Sequence, residues 1–223
     1  MSDERTIFLL VKEIILDINP QDILNDAKEY GLKVTTINDF AEQAYNYVFI
    51  ERLMEKYANL AASYCAVSGA SSGVGGPVTV ITLGGVDIAN MAAQLYRLNQ
   101  KMAVLNGFDL ENTIHKEKAH LIYLTALGFD AAASAAIRAQ VVKAATENVA
   151  KRGPSANVTI RLIMEVVKLL GGQLTKEQAV KLVPFLGGAL GGGLNYMFAK
   201  NAAKKMISEY KSDYFDRWQA NTR

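Results

Sequence analysis

Residues 87–106 form the sequence DIANMAAQLYRLNQKMAVLN, in which polar side chains recur at steps of three and four residues. The members of this polar stripe are Asp87, Asn90, Gln94, Arg97 and Lys101. Because an α-helix turns once every 3.6 residues or so, that spacing places all of them along one side of a helix. We favour an ordinary amphipathic surface helix. The alternative is a hydrogen-bonded seam, in which Asp87 and Arg97 pair with facing helices or with a polar ligand.

Almost every other segment follows the same helical period rather than the two-residue period of strands. Asn19 before Pro20 predicts a helix N-terminus, and Gly31 predicts the end of that helix. The other predicted helices run from Asn38 or Asp39 to about Ser68, over about 87–106, 111–127, 130–151, 156–170 and 175–183, and from near Pro184 almost to the C-terminus. The sequence therefore predicts an all-α fold of about eight helices in one domain, residues 1–223.

The charge is segregated along the chain, although the net charge of the 223 residues is only +2. An acidic N-terminal part, residues 1–56, carries a net charge of −5. Residues 57–199 carry +4 and residues 200–223 carry +3. The rest of the chain, residues 57–223, is therefore basic, and it can pair with the acidic N-terminal part or face anionic lipid.

Two stretches, residues 57–86 and 182–199, contain neither a charged residue nor a histidine, yet they hold 11 of the 17 glycines. We expect two glycine-rich apolar hairpins there, with a loop over Gly69–Gly76 and an extended segment after Pro77. The glycine and proline content makes both stretches poor membrane spans, so we expect a soluble or peripheral protein.

The spacing of Gly187 and Gly191 allows close approach of two helices. We favour packing of these glycines inside the bundle, and the alternative is that the hairpins leave the bundle and enter a bilayer.

The composition excludes several classes of protein. With 50% hydrophobic and 21% charged residues the chain is not a disordered tail, and its near-neutral charge argues against nucleic-acid binding. A single cysteine, Cys65, excludes a disulfide scaffold and indicates a reducing compartment. Asp3 and Glu4 precede a short apolar run, which is not the pattern of a signal peptide, so we expect a cytoplasmic protein.

Residues 69–73, GASSG, match the G-x-S-x-G pattern of serine hydrolases. A catalytic role would use Ser71 or Ser72 as the nucleophile and His120 as the base. The pattern requires a strand before the serine, and a helix is predicted there instead, so we regard catalysis as the weaker alternative. His115 and His120 are five residues apart and fall on different sides of a helix, so we predict neither a metal site nor a cofactor.

The C-terminal segment, residues 206–223, is basic and carries Tyr210, Tyr214 and Trp218 at steps of four residues. One helical face therefore holds all three rings. The favoured interpretation is that this face docks on the bundle, and the alternative is an anchor at a membrane interface with Trp218 in contact with lipid.

Two segments resemble the signatures of the EcsC protein family. Val86–Ile88 with Gln94, Arg97 and the run LNGFD at 105–109 is similar to the first signature, and the run LVPFLGGALGGGLN at 182–195, which includes Asn195, is similar to the second. The first departs from the pattern where Val86 replaces a proline and Asn106 an aromatic residue. The similar region spans about residues 57–205. The resemblance implies a bacterial helical protein, cytoplasmic or membrane-associated, whose namesakes are encoded beside an ABC transporter, with no established reaction.

We expect a non-enzymatic interaction protein at the cytoplasmic face of the inner membrane. Its partner would be membrane lipid or an apolar protein, and a homo-oligomer or a complex with a membrane protein is compatible with the pattern. The candidate binding residues are Asp87, Gln94, Arg97, Gly187, Gly191, Asn195 and Trp218. The alternatives are the serine hydrolase and an effector that inserts into a target membrane.

Overall fold

The computed structural model describes residues 2–16, 18–72, 77–152, 158–181 and 187–221. These residues form α-helices and short 3₁₀ helices and no strand, which confirms the predicted all-α class. The α-helices are α1 (Ser2–Leu16), α2 (Pro20–Glu29), α3 (Tyr47–Ser72), α4 (Pro77–Leu105), α5 (Thr113–Ala126), α6 (Ala131–Arg152), α7 (Val158–Lys181) and α8 (Gly187–Asn221). Two 3₁₀ helices, Ile37–Glu42 and Ala44–Asn46, lie between α2 and α3.

Helix α4 is the central element of the bundle, since it contacts α1, α2, α3, α5, α7 and α8. The prediction of an ordinary surface helix over residues 87–106 is therefore wrong. Its apolar positions pack on several neighbours at once, and Ala89, Leu95 and Met102 are fully buried. The five members of the polar stripe are all half-buried, so they lie at the boundaries between α4 and other helices.

Helices α3 and α8 pack against each other over most of their length and run antiparallel. Lys211 near the end of α8 binds Glu51 near the start of α3, with Nζ 2.8 Å from Oε2. Lys200, three turns earlier in α8, donates to Oδ1 of Asn59 at 2.5 Å. The last part of α3 and the first part of α8 therefore lie at the same end of the bundle, which brings the two charge-free stretches together.

Three helices end in the same way, at glycines that the sequence marks as breaks. Gly31, Gly107 and Gly128 have φ of +89°, +80° and +95°. At Gly107 the amide N–H donates to the carbonyl of Val104, and the N–H of Phe108 donates to that of Ala103. This arrangement is the Schellman motif, which satisfies the last carbonyls of a helix and requires a left-handed residue. The start of α2 also agrees with prediction, because Asn19 Oδ1 accepts from the N–H of Gln21.

Several predicted boundaries are wrong. The helix expected from Asn38 or Asp39 begins at Tyr47, because the Asp39 carboxylate accepts hydrogen bonds from Thr35 and Thr36 and fixes a 3₁₀ turn. Residues 69–72 belong to α3 instead of a loop, while residues 73–76 lie outside the described part of the chain. The extended segment after Pro77 is the first turn of α4, where proline is favoured.

The separate helices predicted over 156–170 and 175–183 are a single helix, α7. It continues across Gly171 and Gly172, because a glycine costs a helix interior only about 1 kcal/mol, which packing and helix length can offset. Helix α1 has no counterpart among the predicted helices. The sequence break at Pro184 lies outside the described residues, and α8 begins at Gly187.

We expect Gly107→Ala to lower the free energy of unfolding by about 1–2 kcal/mol, the cost of a left-handed conformation for an L-residue. A Cβ at this position would make only ordinary contacts, the nearest being Ala41 N at 3.7 Å, so the cost comes from the backbone. Gly193→Ala is the matched control, because Gly193 lies inside α8 and a Cβ there would meet nothing within 4 Å. That variant should gain up to about 1 kcal/mol. Urea titrations that shift both variants in the same direction would contradict this account.

Candidate functional site

At the end of the bundle where α3 and α8 carry no charge, both helices expose apolar side chains. From α3 these are Leu60, Tyr64 and Val67, and from α8 they are Leu194, Tyr196 and Met197. The exposed fraction reaches 70% for Val67 and 63% for Met197. The first three lie at i, i+4 and i+7 and so share one side of α3. We call these six residues the apolar surface.

The hydrogen bond between Asn59 and Lys200 joins α3 and α8 next to the apolar surface, since Asn59 directly precedes Leu60 in α3. Lys204 and Lys205 follow in the next turn of α8 and are exposed. No charged residue lies between Tyr57 and the end of α3, or between the start of α8 and Lys200. On α8, the three lysines therefore follow within three turns of the exposed apolar residues Leu194, Tyr196 and Met197.

A cleft between α3 and α4 begins at the same place. It has a volume of about 150 Å³ and is lined by Tyr57, Leu60, Ala61, Tyr64, Gln94, Arg97, Leu98 and Lys101. Leu60 and Tyr64 belong both to this cleft and to the apolar surface, and they are 48% and 56% exposed. The polar stripe thus contributes three of its five members to one cavity.

The basic side of the cleft is held by contacts with Tyr57. The Lys101 ammonium lies over the Tyr57 ring, with Nζ 4.5 Å from the centroid, which is a favourable cation–π distance. The Tyr57 hydroxyl donates to Asp26 Oδ2 at 2.5 Å. Burial, followed by that hydrogen bond to Asp26, raises the pKa of Tyr57, so the phenol stays protonated. Lys101 is the cation at the Tyr57 end of the cleft, and Arg97 lies one turn away.

The remaining stripe residues do not enter the cleft. Asp87 and Asn90 are half-buried further toward the start of α4. Asn195 is half-buried in α8, and Gly187 and Gly191 lie in the first turns of that helix. Among the candidate binding residues, the structure therefore brings Gln94 and Arg97 together in the cleft, with Asn195 next to the apolar surface.

The aromatic residues of the C-terminal segment do not share one environment. Tyr210 and Tyr214 are buried, and the Tyr214 hydroxyl donates to the carbonyl of Phe40 at 2.7 Å. Trp218 is half-buried and meets Tyr45 edge to face, with centroids 5.8 Å apart. Tyr210 and Tyr214 therefore dock α8 on the bundle, as the favoured interpretation predicts. The alternative, in which these two rings anchor the protein at a membrane interface, is wrong because both rings lie inside the core.

His120 belongs to a buried contact that contains no serine. Its Nε2 lies 2.8 Å from the Tyr96 hydroxyl, and its side chain is only 6% exposed. Burial, with smaller contributions from Lys116 and Arg138, lowers the pKa of His120 to about 4, so the ring is neutral at pH 7.

Ser71 and Ser72 lie at the end of α3. The main helix neighbours of α3 are α2, α4 and α8, whereas His120 lies on α5.

Other reactive groups in the described residues are committed to structure. His115 Nδ1 accepts from the Asp109 N–H at 3.0 Å, and its ring stacks on Phe108. Burial raises the pKa of Cys65 to about 12, which keeps the thiol protonated. No group of three or more histidine, cysteine or acidic side chains suited to a metal ion occurs in the described part of the chain.

None of the helices, over the residues that the structure describes, combines the length and the apolar character needed to cross a bilayer.

The sequence did not indicate the role of two buried asparagines. Asn106 accepts from the Tyr47 hydroxyl at 2.9 Å and donates to the carbonyl of Met102, and its own carbonyl accepts from Arg217. Asn99 donates to the carbonyl of Ala119 and accepts from Tyr210. Both are fully buried. A single asparagine within an apolar helix is a weak signal, so the helical period predicts the helix but not these hydrogen bonds.

The structure is an all-α bundle. Its central helix, α4, ends in a buried Leu-Asn-Gly-Phe turn, and its last helix, α8, begins with glycines. Together these features define the class of protein. The chain belongs to the EcsC protein family, whose model matches residues 11–212. The matched region includes α4, the turn after it and the start of α8, the segments whose resemblance to this family the sequence had indicated. No similar curated protein and no similar solved structure was found in the corresponding comparisons.

Proposed function

We propose that the protein is a non-enzymatic, membrane-associated interaction protein that binds the cytoplasmic face of the bacterial inner membrane through its apolar surface. The observation that carries the proposal is the junction of that surface with the exposed Lys204 and Lys205 on α8. Apolar side chains that enter the headgroup region and cations that stay near the phosphates are the arrangement expected of a peripheral protein.

Magnitudes favour a lipid over a small soluble ligand for this surface. Each cation held near an anionic leaflet contributes about 1 kcal/mol, and each buried methylene contributes about 0.8 kcal/mol. Val67 and Met197, the most exposed members of the surface, together with Lys204 and Lys205, therefore supply several kcal/mol of binding free energy. That amount gives reversible association, without an inserted helix.

Flotation of the purified protein with vesicles tests this proposal. We expect co-flotation with vesicles of phosphatidylglycerol and phosphatidylethanolamine, weakening as salt screens the lysines. The double variant Val67→Ser with Met197→Ser should reduce partitioning by about tenfold or more, from the lost apolar transfer. Lys204→Gln with Lys205→Gln should reduce it by roughly thirtyfold on anionic vesicles and much less on neutral ones.

The matched control is Ile114→Ser. Ile114 is 77% exposed at the start of α5, outside the apolar surface, so its removal should leave flotation unchanged. If the control lowers partitioning as much as the double apolar variant, the surface is misassigned. If the wild-type protein floats with neither type of vesicle at low salt, the membrane proposal is wrong, and an apolar protein partner becomes the remaining occupant for the surface.

A further inference from the structure

Asn106 is the only asparagine of the sequence that is followed directly by glycine. In such a pair the backbone nitrogen of the glycine can attack the side-chain amide of the asparagine, because glycine has no side chain to obstruct ring closure. The pair lies in the Schellman turn that ends α4, and Asn106 is fully buried there. A dipeptide suited to spontaneous chemistry therefore sits in the core of the bundle.

The groups that this reaction needs are held by hydrogen bonds in the folded protein. The nucleophile, the Gly107 nitrogen, donates its proton to the carbonyl of Val104 at 2.9 Å. The leaving group, Nδ2 of Asn106, donates to the carbonyl of Met102 at 2.7 Å, and Oδ1 accepts from the Tyr47 hydroxyl. The buried side chain is also closed to bulk water. Attack by the nitrogen therefore requires that the end of α4 opens first.

We propose that Asn106 is a site of spontaneous deamidation that is closed in the folded protein and opens when the protein unfolds. The Gly107 nitrogen then forms a bond to Cγ of Asn106, the bond from Cγ to Nδ2 breaks, and ammonia leaves with the amide proton of Gly107. The product is a cyclic imide. Water adds to one of its two carbonyls and reopens the ring, which yields aspartate or, when the backbone carbonyl is attacked, isoaspartate. No oxidant or reductant takes part.

Both products disturb the turn that ends α4. An ionised aspartate has an oxygen in place of the NH₂ group, so a buried donor to the Met102 carbonyl becomes a second acceptor beside it. Isoaspartate adds a methylene to the main chain directly before Gly107, which alters the spacing of the hydrogen bonds from Gly107 and Phe108. Because α4 is the central element of the bundle, deamidation hinders the return of an unfolded chain to the folded state.

Incubation of the purified full-length protein in mildly alkaline buffer, with and without guanidinium chloride, tests the proposal. Peptide mapping by mass spectrometry measures the exchange of amide for acid at Asn106. We expect rapid exchange in denaturant, and exchange at least about a hundredfold slower in native buffer, because a core segment is open only in a small fraction of molecules. Equal rates in the two buffers overturn the proposal.

A matched control carries the same dipeptide at the surface. Thr113→Gly gives the exposed Asn112 a glycine as its next residue, at the start of α5. In native buffer Asn112 of this variant should deamidate within about tenfold of its rate in denaturant, a factor that its helix-capping hydrogen bonds account for. Protection of Asn112 as strong as that of Asn106 would show that burial is not the cause, and would overturn the proposal.

Gly107→Ala tests the chemistry in the unfolded chain. The added methyl group hinders ring closure, so exchange at Asn106 in denaturant should be several-fold slower than in the wild type. An unchanged rate in denaturant means that the Gly107 nitrogen is not the nucleophile, and the proposed reaction is then wrong. This measurement does not depend on whether the variant folds.

Refolding tests the consequence of the modification. Samples held in guanidinium chloride for increasing times are diluted, and size-exclusion chromatography separates folded from unfolded protein. We expect the recovered fraction to fall in step with deamidation in the wild type, and more slowly in Gly107→Ala. Asn106→Asp should raise the ratio of unfolded to folded protein by about tenfold or more. Deamidated chains that refold as fully as unmodified ones overturn the predicted consequence.

Discussion

Replacing Tyr210 with alanine is expected to lower the free energy of unfolding by about 3–5 kcal/mol, the range for removing a large buried aromatic side chain. Tyr210 is fully buried in α8, and its ring meets Phe108 edge to face at 5.6 Å between centroids. Its hydroxyl donates to Asn99 Oδ1 at 3.0 Å. The substitution therefore leaves a cavity between α8 and α4 and also removes a partner from a buried amide.

Two further variants separate these contributions in urea or thermal unfolding. Tyr210→Phe keeps the ring and should lose only about 1–2 kcal/mol, the cost of the unpaired Asn99 oxygen. Tyr45→Ala is the matched control, because Tyr45 is 90% exposed and should change stability by less than about 1 kcal/mol. A Tyr210→Ala variant as stable as Tyr45→Ala would show that α8 does not pack on α4 as described.

The second large effect is a loss of stability on acidification that His120 controls. The pKa of His120 in the folded protein is about 4, and the ordinary value is 6.5. Between these values the unfolded chain binds more protons than the folded chain, so the free energy of unfolding falls as the pH is lowered through that window. The difference corresponds to about 3 kcal/mol at most, reached near pH 4.

His120→Phe should remove most of this pH dependence between pH 6.5 and 4.5, as measured by urea titrations at a series of pH values. The buried Tyr96 hydroxyl then loses one of its partners and keeps its hydrogen bond with Thr159, so a constant loss of about 0.5–1.5 kcal/mol at neutral pH should accompany the flattening. His115→Phe is the control, because it replaces the other histidine, which contacts Asp109 in the turn before α5. Unchanged pH dependence in His120→Phe would contradict the assignment.

The Asp39 carboxylate changes the stability of the protein only at a lower pH, so it does not contribute to the pH dependence between pH 6.5 and 4.5. Hydrogen bonds from Thr35 and Thr36 hold the pKa of Asp39 well below its usual range. The stability that this carboxylate contributes is present above its ordinary pKa of 3.8 and is lost as the pH falls further. Titrations that stop at pH 4.5 therefore report mainly on His120.

The elements that could be predicted are those that local chemistry dictates. Asn19 with Pro20 sets the start of α2, and Gly31, Gly107 and Gly128 provide the left-handed residues that end three helices. The failures have two different causes. Helix α7 crosses a glycine pair that local propensity would break. The first 3₁₀ helix before α3 is fixed by local hydrogen bonds that Thr35 and Thr36 donate to Asp39, which the helical period of apolar residues does not reveal.

The candidate site was predictable only in part for a similar reason. The spacing of Gln94, Arg97 and Lys101 placed them on one side of a helix, and they do line one cleft. Their opposing wall, Tyr57, Leu60 and Tyr64, comes from α3, and no periodicity within one segment reveals which helix faces it. The apolar surface likewise depends on the antiparallel pairing of α3 with α8, which brings residues more than a hundred positions apart to the same end.

That pairing also constrains the order of events during synthesis. Glu51 and its partner Lys211 are separated by 160 positions in sequence, and Phe40 and Tyr214 by 174. Helix α3 therefore leaves the ribosome long before the helix that covers it has been translated. Until then the side of α3 that α8 will bury is open to solvent, which leaves an apolar helix face of the nascent chain exposed to aggregation.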